Sequence, residues 1–173
     1  MKIFDCFMYF DEDTVLDVRL NYLNEYVDKF VIIEAKYNHK GEKREPKFNI
    51  KKFEEFKDKI IYLLIGQEVP GMYKTDELDS NDKKIGKNIM NALKRENFQR
   101  NSILGGLTEA SDEDWIIISD LDEIPNLKDN DLKNIKSPIV FFKQLMMYYK
   151  FNLNLENYTW IGSKACKKKN LKS

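Results

Sequence analysis

The sequence contains one histidine, His39, and two cysteines, Cys6 and Cys166. A single histidine excludes any catalytic or zinc site that draws two or more histidines from this chain, so a bound metal is expected to be held by oxygen. The cysteines stand near opposite ends, with no CxxC pair and no disulfide framework to infer. Cys6 lies in an apolar run and reads as a small core residue. Long hydrophobic runs are lacking as well. The longest, Ile60 to Gly66, falls far short of the ~20 apolar residues of a membrane helix. Asp5 breaks the apolar run that follows Lys2, which argues against a secretory signal and makes the expected compartment cytoplasmic. Net charge is missing too: 29 basic side chains balance 29 acidic ones. That removes the long-range attraction that would make nucleic acid the main partner.

What remains is 173 residues, 42% hydrophobic and 13% aromatic, enough for one globular domain with a real core. The charge is unevenly distributed. Residues 164–173 hold five lysines and no acid, leaving 24 basic against 29 acidic groups in residues 1–163. The expectation is one domain over residues 1–163 and a basic tail over 164–173.

Ile3 to Phe10 is aromatic and β-branched and ends at Asp11-Glu12-Asp13, the pattern of a buried strand leading into an acidic loop. Thr14 and Asp17 have the spacing of a helix-capping pair, and Leu16, Leu20, Leu23 and Val27 repeat at helical intervals. Lys29–Ala35 and Ile60–Ile65 read as further strands, with a polar loop from Asn38 to Pro46 and a short amphipathic helix carrying Ile50, Phe53 and Phe56. Short continuous apolar strands alternating with helices predict an α/β fold, a mostly parallel sheet with helices on both faces. The polar stretch Gly66 to Lys84 is either a lid or binding loop or a solvated insertion. A long helix is predicted over residues 85–108, where Leu93, Arg100, Leu104 and Leu107 fall within about 60° of one another. Arg100 therefore lies on the apolar stripe, where it either pairs with a carboxylate or faces a bound phosphate or carboxylate.

Trp115-Ile116-Ile117-Ile118 reads as a central strand that runs into Ser119-Asp120-Leu121-Asp122-Glu123-Ile124-Pro125. In extended backbone, residues i and i+2 share a side, so Asp120 and Asp122 can address one cation or ligand together. Asp-x-Asp alone is weak evidence, since Asp11 to Asp13, Asp112 to Asp114 and Asp129 to Asp131 also match. Those three lie in polar, turn-like sequence and read as solvated. Only Asp120 and Asp122 follow a buried strand, where open α/β sheets bind their ligands. Three acids there call for a divalent cation or a basic partner such as Arg100; the alternative is an acidic helix cap. Beyond them, strands are expected over Pro138–Phe142 and Met146–Phe151. Their aromatics, with the following asparagines and Trp160, suit either a core or a sugar-binding surface.

With these residues in place the chain resembles glycosyltransferase family 17, the β-1,4-mannosyl-glycoprotein 4-β-N-acetylglucosaminyltransferases of N-glycan synthesis. The resemblance rests on Lys2 to Phe10, on Leu16 to Val27 with Arg19-Leu20-Asn21, and on Phe30 to Ala35. Arg100-Asn101, Ser119 to Pro125, Tyr148 to Asn154 and Trp160 to Gly162 extend it over nearly the whole chain. It implies a GT-A type fold and an inverting transfer of GlcNAc from UDP-GlcNAc to a mannose-containing glycan. It further implies a divalent metal, Mn²⁺ or Mg²⁺, on Asp122 and Asp120, with Asp120, Glu34, Arg100 and Asn101 contacting the nucleotide sugar. Glu123, the extra acid of the motif, is either the candidate catalytic base or a structural acid. Family domains run longer, so part of the C-terminal acceptor half is expected to be missing, leaving a partner or a homo-oligomer to supply it. The animal relatives are Golgi membrane proteins. The alternative function is a catalytically inactive domain that binds a nucleotide sugar or a glycan. A phosphohydrolase built on Asp-x-Asp fits less well, because Ile124 stands where such sites prefer Thr or Val and the motif comes late in the chain.

Overall fold

A computed structural model describes residues 1–150 and 152–172. Six strands, β1 (Ile3–Met8), β2 (Lys29–Ala35), β3 (Ile60–Ile65), β4 (Trp115–Ser119), β5 (Ile139–Met147) and β6 (Asn154–Lys167), form one sheet in the order β3-β2-β1-β4-β6-β5. The first four are mutually parallel, while β6 runs antiparallel to both β4 and β5. The fold is α/β as expected, with a parallel half and an antiparallel half.

The alternation of side chains along β1, β2 and β4 divides the core in two. Phe7, Phe30, Ile32, Trp115 and Ile117 face helix α1 (Asp13–Leu23), which packs Leu16, Leu20 and Leu23 onto them. Each of these buried leucines contributes roughly 1.5–3 kcal/mol by leaving water. Phe4, Cys6, Val31, Ile33 and Ile116 face the other way, towards Ile103 and Leu107. These two follow helix α2 (Asn81–Asn101), in and just beyond a 3-10 turn over Ser102–Gly106. Phe53 and Phe56 are buried from a kinked 3-10 helix, Ile50–Phe56.

Several expectations are corrected. Thr14 and Asp17 form no capping pair: α1 begins at Asp13, and Glu12 before it accepts instead from the Phe10 and Asp11 amides at 3.0 and 2.9 Å. The long helix starts earlier and ends earlier than residues 85–108, and its apolar stripe is not core. Leu93 and Leu104 are 45% and 41% exposed, and only Leu107 is buried; the helix ends at Asn101, so Leu104 and Leu107 lie in and just beyond the 3-10 turn and share no helical face with Leu93. Lys164–Lys167, expected in a basic tail, are the last positions of β6 and pair with β4. Ser173 of that tail, and Phe151 at the end of its expected strand, lie outside the described residues. Asp114 is buried, not solvated, and accepts from the Lys2 and Ser111 amides at 2.6 and 2.8 Å. Burial raises its pKa, but these donors outweigh that and hold it below the ordinary value.

Residues 66–80 form no loose flap. Asn91 of α2 clasps Tyr73 through both its amide N–H and its carbonyl, at 2.8 and 2.9 Å. Lys87 and Lys94 donate to the Lys74 and Gly71 carbonyls, and Asp79 pairs with Lys83 and Lys87. Among the described residues, no helix is long and apolar enough to cross a membrane.

Candidate functional site

A cleft of about 750 Å³ opens at the carboxyl ends of β1, β2 and β4. The chain runs outward from β1 to β2 and β3, then returns to place β4 on the other side of β1. That reversal is the switch point at which open parallel sheets take their ligands. Tyr9 and Phe10 come from the end of β1, His39 and Lys40 from the loop after β2, Glu96, Gln99 and Arg100 from α2, and Asp120 and Asp122 from the loop after β4.

The loop after β4 is shaped by one buried ion pair. Arg19 on α1 and Asp5 in β1 are both fully buried and bond through two parallel N–H···O contacts, of 2.8 and 2.7 Å. The remaining guanidinium donors reach the Ser119 hydroxyl at 2.6 Å and the Asp120, Leu121 and Glu123 carbonyls at 3.0, 2.9 and 3.2 Å. The planar fork matches this set of acceptors where an ammonium would not. Arg19 thus turns the backbone so that Asp120 and Asp122 open into the cleft. Asp5 within the apolar stretch Ile3–Phe10, and Arg19 directly before the core leucine Leu20, were the available signal for this pair.

Arg100 reconciles its two readings. It donates to Glu96 at 3.0 Å and Asp120 at 2.9 Å, and it also lines the cleft beside them. Asp122 is exposed to the cleft and accepts no hydrogen bond from the described residues. Asn101, one residue on, is exposed and lies outside the cleft lining.

Glu123 is not placed as a base. One carboxylate oxygen accepts from the Asp120 amide at 2.9 Å and the other from the Trp160 indole N–H at 2.6 Å, and neither faces the cleft. Glu34 is likewise not placed to touch a nucleotide. It is fully buried on the α1 face, where it accepts from Arg44, the Lys47 and Phe48 amides and the Tyr62 hydroxyl, fastening residues 44–48 over the sheet. Burial, then this bond, raises the Tyr62 pKa well above its ordinary value.

Two further features shape the rim. Gly41 closes the turn that carries His39 and Lys40 with φ at +89°, and a Cβ there would lie 2.3 Å from the Arg95 guanidinium. Tyr9 donates to Asp13 at 2.6 Å; burial, that bond and nearby carboxylates push its pKa far up, so it stays protonated. Asp13, also read as solvated, is held low by Lys52 and Tyr9.

Among the described residues, no three His, Cys, Asp or Glu side chains form a metal cage. The residues nonetheless fit a hard divalent cation. Mg²⁺-type ions are commonly held by one or two carboxylates together with substrate phosphates and waters, and Asp120 and Asp122 offer that set inside the cleft.

A family model described as Glycosyltransferase family 17 matches residues 1–172. The chain belongs to glycosyltransferase family 17. No curated protein matches it. Membership in family 17 supports glycosyl transfer from a nucleotide-sugar donor to a glycan acceptor.

Proposed function

We propose that this family 17 protein transfers N-acetylglucosamine from UDP-GlcNAc to a mannose-containing glycan with inversion, on a GT-A-like framework. The observation that carries this reading is the pair Asp120 and Asp122 at the switch-point cleft, with Asp122 open to it. These two carboxylates would hold Mn²⁺ or Mg²⁺. A cation bound there neutralises charge on the diphosphate leaving group. The chain's own residues do the positioning. Arg19 fixes the loop, Arg100 orients Asp120, and Lys40 and Arg100 bring positive charge to the same cleft.

Isothermal calorimetry tests the donor site. UDP-GlcNAc binding is expected to require Mn²⁺ and to be lost in Asp122→Ala; equal affinity with and without the metal would overturn the reading. The engagement of both Glu123 oxygens favours a second reading, a domain that binds donor or glycan without turnover. Donor binding without UDP release across a panel of oligosaccharide acceptors would select it.

A further inference from the structure

β6 outruns its neighbour. Ile118 of β4 pairs with Lys164, so residues 154–163 continue past the end of β4 on the side where the Asp120 loop lies. Trp160 stands on this projecting part, opposite Gln144 of β5, whose amide donates to the Ile124 carbonyl at 3.1 Å. It therefore shares the face that looks onto the Asp120–Ile124 segment, not the exposed face of Phe141 and Leu145.

The indole N–H is committed to Glu123, whose other oxygen holds the Asp120 amide. Gly162 makes room for this, since a Cβ there would lie 2.4 Å from the Glu123 carboxyl carbon and 2.6 Å from the indole nitrogen. The ring edge is thus fixed while Trp160 remains 37% exposed. With its donor consumed internally, the indole offers a partner its π face. A face held in one orientation loses little entropy on binding, and the apolar C–H face of a sugar suits it.

We propose that Trp160 is a stacking platform for a sugar of the acceptor glycan, set beside the donor cleft by Glu123. The assignment deepens the glycosyltransferase reading and rests on it for the place of the donor. Glu123 is then a positioning residue that couples the platform to the Asp120 backbone.

Saturation-transfer NMR with mannotriose and chitotriose, alongside calorimetry with UDP and Mn²⁺, separates the two claims. The wild-type protein is expected to bind at least one oligosaccharide. Trp160→Ala should weaken that binding about tenfold while UDP affinity is kept, and Trp160→Phe, which retains a ring but not the N–H, should fall between. The platform is overturned if neither oligosaccharide binds the wild type, if Trp160→Ala binds as well as wild type, or if it loses UDP affinity in parallel. Loss of metal-dependent UDP binding in the wild type would instead overturn the donor reading beneath it.

Discussion

Arg19 lies outside the cleft lining yet holds three carbonyls of the loop that carries Asp120 and Asp122. Both members of its pair with Asp5 are fully buried, so removing one strands a charge in the core. Arg19→Met is expected to cost about 3–5 kcal/mol on that basis, measured as a fall in the urea midpoint. Arg19→Lys should keep the charge but lose the fork, so a metal-binding defect larger than its stability defect is the expected signature. Equal midpoints for wild type and Arg19→Met would refute this role. The same scale explains why Glu34 and Glu123 looked functional in the sequence. Both carry acid at a strand's carboxyl end, a position as useful for fastening a loop as for binding a ligand. The sequence does not show which donors fold back onto them: for Glu34 these are Arg44 and the Lys47 and Phe48 amides, for Glu123 the Trp160 indole.

At the scale of elements, β2 was legible to the residue because a strand buried on both faces reads as an apolar run, and β3, half-buried at the sheet edge, because Ile60–Ile65 is apolar throughout. α1 was legible from Leu16, Leu20 and Leu23. α2 was not. Its buried side chains are Asn91 and Gln99, which bond to Tyr73 and to the Ile33 carbonyl, and no hydropathy pattern marks polar contacts of that kind. The strap over residues 66–80 depends on Asp79. Hydrogen bonds from Lys87, from the Asp76 amide and from Lys83 hold its carboxyl far below its ordinary value of 3.8. A depressed folded pKa makes this contribution fully present above the ordinary value, and it is lost only as pH falls through the lower one. The strap should therefore resist pepsin at a pH just below the ordinary carboxylate value, where Asp79→Asn is cut within residues 66–80. Equal cleavage of the two proteins in that window would show that Asp79 does not anchor the strap.

At the scale of the whole molecule, the sheet joins a parallel half that supports the cleft to an antiparallel hairpin that reaches past it. The two meet at β4 and β6. Ser163 on β6 donates its hydroxyl to the Glu123 carbonyl at 2.6 Å, and Gln144 on β5 holds Ile124. Amides of residues 119–125 are accordingly expected to exchange with solvent in step with those of β6. Hydrogen exchange showing the loop protected after β6 has opened would break that link. One consequence concerns time during synthesis. β5 is made before β6 yet touches the sheet only through it, and the backbone of the loop bearing Asp120 and Asp122 receives its Ser163 contact from β6 as well. Contacts so distant in sequence form slowly. A nascent chain that has already built β1 to β4 would thus carry an unfinished cleft, and the acidic loop would reach its working shape only when β6 slides between its two neighbours.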